Sequence, residues 1–284
     1  MILADDQVTT DEVKSWKGIH LLHFQGSSCS QKVRTLLHEK NLEYESHPID
    51  ISANEHVSTW FLGINPRGVV PVLVHDGKVH IESNDILEYL DQLPSDAPSF
   101  FPQNDEERQA VRDWLKLEDD LHMDLRNMTT GFMLPRKLVA KSEETLKRYE
   151  QEGATDPKRA KEVEWWRNFA ENGVTEDAAL ASIKAYRAAF ETVDAKLAES
   201  DWLLGDRRSV MDIAWFISAN RLRLAGYPLE DHPNLLKWYE KLKEDDAYSG
   251  ETSMGFVPEK IIIPIYQAYL STKGATIKQL LEKL

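Results

Sequence analysis

The first strong pattern is an apolar run at residues 19–24 that stops at Gly26; from Ser30, apolar residues return at Val33, Leu36 and Leu37 with charge between them. The first pattern predicts a strand. The second predicts one face of a helix over residues 30–40, entered through the small polar turn Gly26-Ser27-Ser28-Cys29. A second strand is expected over residues 43–51, where Pro48 argues for an edge position or a strand end because it cannot donate to a ladder. Residues 54–62 read as a short helix before the turn Asn65-Pro66-Arg67-Gly68. A third apolar run, residues 69–75, is interrupted by Pro71, and Asp76-Gly77 signals a hairpin into a returning strand at 78–82. Ser83 then opens a helix to residue 93 with Ile86, Leu87 and Leu90 on one face. Residues 18–93 therefore read β-α-β-α-β-β-α, and the closing hairpin makes the four-stranded sheet mixed rather than wholly parallel. Residues 1–17 are polar and acidic, and are expected to have little core of their own.

Residues 94–102 carry three prolines and read as a linker. Everything beyond is helical in pattern: 105–133, a highly charged stretch at 135–173, and 175–198 with Thr175 placed to cap it. Ser209 followed three residues later by Asp212 is a capping-box signal, and it launches an apolar helix at 213–224 expected at the centre of a second core. His232-Pro233-Asn234 introduces a helix through residue 243, and residues 276–284 are helix-like. No internal repeat is visible.

Composition narrows the function classes. With 284 residues the chain has room for two domains. Hydrophobic residues at 42% and charged residues at 29% describe an ordinary globular protein rather than a disordered or fibrous one. A net charge of −14 argues against nucleic acid or an anionic membrane as partner. No apolar run approaches the roughly 18 residues of a membrane span, and the N-terminus lacks the basic and apolar regions of a secretory leader. The single cysteine allows no internal disulfide and no thiolate metal cage, and fits a reducing cytoplasm. The nine histidines are scattered without an HExxH-type spacing, so no metal is expected.

Three places carry candidate chemistry. The strand–turn–helix junction points helix-terminal N–H groups at whatever sits beside Ser27, Ser28 and Cys29, which favours an anion, a thiolate included. Ser27 and Ser28 fit the role of an ordinary N-cap equally well. Pro71 is anomalous inside a strand. Glu82-Ser83 pairs an acid with a hydroxyl at a helix start, able to meet an ammonium and a carboxylate. In the helical half, His122, Met123, Phe132, Trp166 and Trp215 could line a pocket or pack a core.

Taken together, Gly26-Ser27-Ser28-Cys29-Ser30 before a helix with Lys32-Val33-Arg34, Asn65-Pro66 ahead of Val70-Pro71-Val72-Leu73, Glu82-Ser83, and a proline linker to a helical domain resemble the cytosolic glutathione transferase superfamily. The Ser-Ser-Cys-Ser run is similar to the zeta-type motif, and the long 135–173 stretch to that of bacterial β-etherase-type members. The resemblance covers roughly residues 18–245. It implies an α/β thioredoxin-like domain at 18–94 that binds glutathione. It also implies an all-α acceptor-substrate domain at 103–284, with an extended segment at about 135–174. Ser27 would then assist the glutathione sulfur, with Ser28 its alternative if the turn shifts register, and Cys29 would accompany the site. Thiol transfer through Cys29 is the competing role. Pro71 would be cis, and Val70 would offer its backbone to the cysteinyl unit. Glu82 and Ser83 would grip the γ-glutamyl end. Arg67 would reach the glycyl carboxylate or remain a solvated turn residue.

The implied activity is a cytoplasmic, dimeric glutathione S-transferase whose thiolate attacks a hydrophobic electrophile: an aryl ether, an organohalide or an activated alkene. The long segment inclines the reading toward β-aryl ether cleavage. Two alternatives remain: a glutathione-dependent maleyl-type isomerase, and a non-catalytic interaction protein of the same fold.

Overall fold

In the computed structural model, which describes residues 1–152 and 157–284, the sheet has the order β2-β1-β3-β4. Its strands are β1 (Ile19–His23), β2 (Glu45–Pro48), β3 (Val72–His75) and β4 (Lys78–His80). β1 pairs in parallel with β2 and antiparallel with β3, and β3–β4 is the expected hairpin. Pro48 ends β2, which lies on the sheet edge where its missing donor costs no ladder bond. The helices α1 (Ser28–Glu39) and α3 (Ser83–Asp91) pack together, and α2 (Thr59–Leu62) is a short turn of helix. Lys40 Nζ donates to the Asp91 carbonyl oxygen at 2.8 Å and to its carboxylate at 3.2 Å, a buried clamp between the C-terminal ends of α1 and α3. This is the expected mixed four-stranded α/β unit.

Two features of this half depart from the sequence pattern. Residues 1–17 are not a bare extension: Leu3, Val8 and Val13 are buried in one cluster with Leu22, Val72, Val74 and Val79. Asp11–Ser15 forms a 3-10 turn, and the Lys14 carbonyl presses against Gly77, whose positive φ of 79° suits the hairpin. The segment was hard to see because its apolar residues stand singly among polar ones. The second departure concerns residues 141–171. The chain forms two compact units, residues 1–98 with 141–171, and 99–140 with 172–284. The charged segment that the sequence assigns to the helical half thus folds with the sheet. Its helices α7 (Glu143–Glu152) and α8 (Pro157–Asn172) follow α4 (Asp105–Asp120), α5 (His122–Phe132) and α6 (Arg136–Val139) in the chain. Leu146, Tyr149, Val163 and the half-buried Trp166 pack on Val57, and Arg167 bridges Glu143 and Glu150. Residues 153–156, inside this segment, lie outside the described residues.

The second unit is helical. The expected helix at 105–133 is two, α4 and α5, interrupted at Leu121. Next come α9 (Glu176–Glu199), α10 (Val210–Leu224), α11 (Pro233–Lys243), α12 (Asp246–Glu251), α13 (Ile263–Thr272) and α14 (Ile277–Leu281). Thr175 caps α9, accepting the Ala178 N–H. α10 is buried from Val210 through Leu222 and packs against α4, α5 and α11. Ser209 and Asp212 form the expected capping box. No helix among the described residues is long and apolar enough to cross a membrane.

Candidate active site

Strand register brings the three candidate stretches of the first unit to one end of the sheet. Leu22 pairs with Val72, so continuing the antiparallel register sets Phe24, three residues before Ser27, beside Val70. Leu73 pairs with His80, and the same continuation sets Glu82 beside Pro71. The end of β1, the start of β3 and the residues after β4 thus share one end of the sheet.

At the first corner Ser27 is the N-cap of α1, which starts two residues earlier than the sequence pattern placed it. Its backbone is extended (φ −83°, ψ 122°), and its Oγ accepts the Ser30 N–H at 3.2 Å. A hydroxyl that accepts there keeps its own hydrogen to donate outward. Ser28 and Cys29 are the first two helical residues, both half-buried. The loop beneath is held by Arg34, which is buried: its guanidinium meets His23 Nδ1 at 3.2 Å and the carbonyl oxygens of Phe24 and Gln25, each at 3.4 Å. Nothing in the sequence marked this role except the position of Arg34 within the first turns of α1.

The second corner is the Val70–Pro71 peptide, which is cis. Among the described residues, the Val70 N–H and C=O bond to no other main-chain group. The turn before it is fixed by Asn65, fully buried, whose side-chain amide donates to the Val69 carbonyl at 2.8 Å and whose Oδ1 accepts the Arg67 N–H at 3.1 Å. Asn65 thus sets the approach to Val70. Sequence reasoning saw the Asn-Pro turn but not this side chain's part in it.

The third corner is Glu82-Ser83. Glu82 stands just before α3 with a positive φ of 67°, and Ser83 is the first helical residue, buried. The Glu82 carboxylate forms an ion pair with the Arg67 guanidinium. Arg67, half-buried, is therefore directed toward this corner.

The remaining candidates are dispersed. Trp215 is fully buried in α10, edge-on to Trp114 at 6.0 Å, and belongs to the core. Phe132 is buried, Met123 exposed and His122 half-buried, all on α5. Trp166 belongs to the first unit, where it contacts Trp165 and Phe169 and receives the Lys141 ammonium over its ring at 4.9 Å.

Comparison with known proteins gives this geometry its context. The sequence model of the glutathione S-transferase N-terminal domain matches residues 26–93, and that of the C-terminal domain matches residues 139–241. Protein LigF of a Sphingobium species is 30% identical over 238 residues, 81% of this chain and 91% of LigF. The crystal structure of the beta-etherase LigF from Sphingobium superposes on it with a TM-score of 0.71 at 28% identity, covering 82% of this chain and 98% of that one. The tetrachloro-p-hydroquinone reductive dehalogenase of Sphingobium chlorophenolicum is 23% identical over 79% of this chain and 92% of its own length. A theta-class glutathione S-transferase from Xanthomonas axonopodis, solved with glutathione bound, shares the fold at 21% identity (TM-score 0.63, 84% and 99% covered).

Proposed function

Because this chain belongs to the glutathione S-transferase family and is a glutathione transferase, we propose that it cleaves β-aryl ethers with glutathione as the attacking co-substrate. The observation that carries the reading is its 30% identity to LigF over 91% of that protein, whose structure is described as that of a beta-etherase.

In this reading glutathione lies extended along the sheet end. The Val70 N–H and C=O pair with the cysteinyl unit as an added strand would. The γ-glutamyl ammonium meets Glu82, and its carboxylate meets Ser83, the start of α3 and Arg67. This moves Arg67 from the glycyl end to the γ-glutamyl end, since its guanidinium sits on Glu82. The sulfur falls at Ser27. A free thiol has a pKa near 8.5, so little of it is ionised at neutral pH. The Ser27 O–H and the N-terminus of α1 favour the thiolate by hydrogen bonding and by the dipole. The thiolate then attacks the carbon bearing the aryloxy group. A C–S bond forms as the C–O bond breaks, and the departing aryloxide takes a proton from solvent. Cys29 has no part in the displacement. Assembly as a homodimer belongs to the same proposal.

The test is product identity. Incubated with glutathione and a β-aryl ether, the protein is expected to release one phenol for each glutathione thioether formed. Conversion of a maleyl diacid without thioether would establish the isomerase reading instead. Retention on immobilised glutathione with no turnover of ether, halide or maleyl substrates would favour the interaction protein.

A further inference from the structure

His20 and Glu45 are register partners across β1 and β2, and His47 follows two residues later, so the three side chains leave one face of the sheet. His20 Nδ1 and His47 Nε2 stand 3.0 Å apart. The Glu45 carboxylate straddles them, with Oε2 at 3.5 Å from His20 Nδ1 and Oε1 at 3.6 Å from His47 Nε2. Trp16 stacks on both imidazoles with ring centroids 4.5 Å away in each case. The far nitrogen of His20, Nε2, lies 2.9 Å from the Lys17 carbonyl oxygen, an acceptor only, so the proton of the neutral ring belongs there. His20 Nδ1 then carries a lone pair aimed at the cluster, and one hydrogen, on His47 Nε2, joins the two rings.

We propose that His20, Glu45 and His47 form a site for a divalent transition metal of the Zn2+ type, which takes the lone pairs of His20 Nδ1 and His47 Nε2 as the hydrogen on His47 Nε2 passes through water to that ring's Nδ1. Two imidazole nitrogens and one carboxylate are a donor set that zinc takes in three-residue sites, with water in the fourth position. A tetrahedral ion with bonds of about 2.0–2.1 Å spaces its ligand atoms about 3.3 Å apart; the two nitrogens stand 3.0 Å apart and each has its own Glu45 oxygen at 3.5 or 3.6 Å, so a turn of the exposed Glu45 presents one oxygen to an ion held by both rings. The backbone carbonyl on the far nitrogen of His20 is the partner by which ligating histidines are oriented and their tautomer fixed. Two imidazoles also disfavour Mg2+ and Ca2+, which take oxygen ligands. Glu45 is exposed and His47 half-buried on the edge strand, so both can turn toward the ion while His20, buried, holds its place.

The cluster is separate from the glutathione end. His20 lies four residues before Phe24, about 13 Å along the strand. A metal there would clasp the edge strand β2 to β1 under Trp16. The sequence hid this site because its ligands are spaced by strand pairing, not by a local motif.

The experiment titrates the full-length protein, free of glutathione, with Zn2+ by calorimetry, and with Co2+ by visible absorption as a geometry reporter. One Zn2+ per chain is expected, with a tetrahedral Co2+ spectrum lacking thiolate charge transfer, and Mg2+ should not compete. Glu45→Gln and His47→Ala, both at the surface edge, should each weaken Zn2+ binding by more than roughly tenfold, the lower limit for losing even an outer-shell partner. Absence of binding, or binding that survives both substitutions, overturns the proposal.

Discussion

Ser27 Oγ accepts the backbone N–H of Ser30 at 3.2 Å, so the hydroxyl assigned to the sulfur is also the cap that starts α1. Substitution therefore has two separable effects. Ser27→Ala should cost about 1 kcal/mol of stability through the lost cap, and lower kcat/KM roughly 10²-fold through the lost donor. Ser27→Asp caps as well as serine but has no hydrogen to give. It should restore stability in chemical denaturation without restoring turnover.

Arg34 anchors the loop that presents Ser27, through His23 Nδ1 and the carbonyls of Phe24 and Gln25. Arg34→Met removes the donor to His23 Nδ1 and one donor each from the Phe24 and Gln25 carbonyls, which keep the Ser27 N–H and Gln31 Nε2, and should destabilise by about 1–2 kcal/mol. Turnover should fall with it, because the loop that fixes the hydroxyl loosens. Denaturation midpoints and kcat/KM measured together check this.

Arg67, paired with Glu82, sits at the γ-glutamyl corner in the proposed pose. Arg67→Ala should raise the KM for glutathione roughly tenfold with kcat nearly unchanged, the signature of lost binding common to ground and transition states. An unchanged KM would place the residue outside the site.

His80, at the end of β4, gives the fold a pH dependence of its own. Burial, chiefly, together with the N-terminal ammonium and His75, lowers its pKa to about 4, against an unperturbed value of about 6.5. Between those values the unfolded chain binds a proton that the folded chain refuses, so stability falls as pH drops from about 6.5 to about 4. His80→Phe keeps a ring against Tyr89, 3.8 Å away, and should lose less stability over that window in pH-dependent denaturation.

Asp212 holds the second unit together at the head of α10. Its Oδ1 accepts from Leu203 N at 3.1 Å and Trp238 Nε1 at 2.9 Å, and its Oδ2 from Ser209 N at 2.8 Å and Ser209 Oγ at 3.1 Å. Burial pushes this carboxyl up, against the pull of those donors. Asp212→Ala should destabilise by about 3–5 kcal/mol, because the donors lose their acceptor inside the core. Thermal unfolding reads it directly.

What the sequence disclosed follows its periodicities. Apolar runs and turn residues located β1, β3 and β4, helical spacing located α3, and the Ser209/Asp212 spacing located α10, because those signals are local. Long-range partnerships were invisible. Leu3, Val8 and Val13 looked like isolated residues in a polar tail, and only the folded chain shows them sharing a core with Val79. The amphipathic pattern of residues 141–171 could mark helices but not that they would pack on Val57. At the site, the corners at Ser27, Val70 and Glu82 were legible from motif residues. The Arg67–Glu82 pair and the Arg34 anchor depend on side chains meeting across turns, which spacing alone does not encode.

The central claim is that this chain ionises the glutathione thiol at Ser27. Titrating the thiolate absorbance of the glutathione complex against pH tests it most directly, in the native protein and in Ser27→Ala. The account predicts a bound thiol pKa clearly below the free value of about 8.5, returning toward that value in the variant. An unshifted pKa in the native complex, or an equal shift in both proteins, would contradict it.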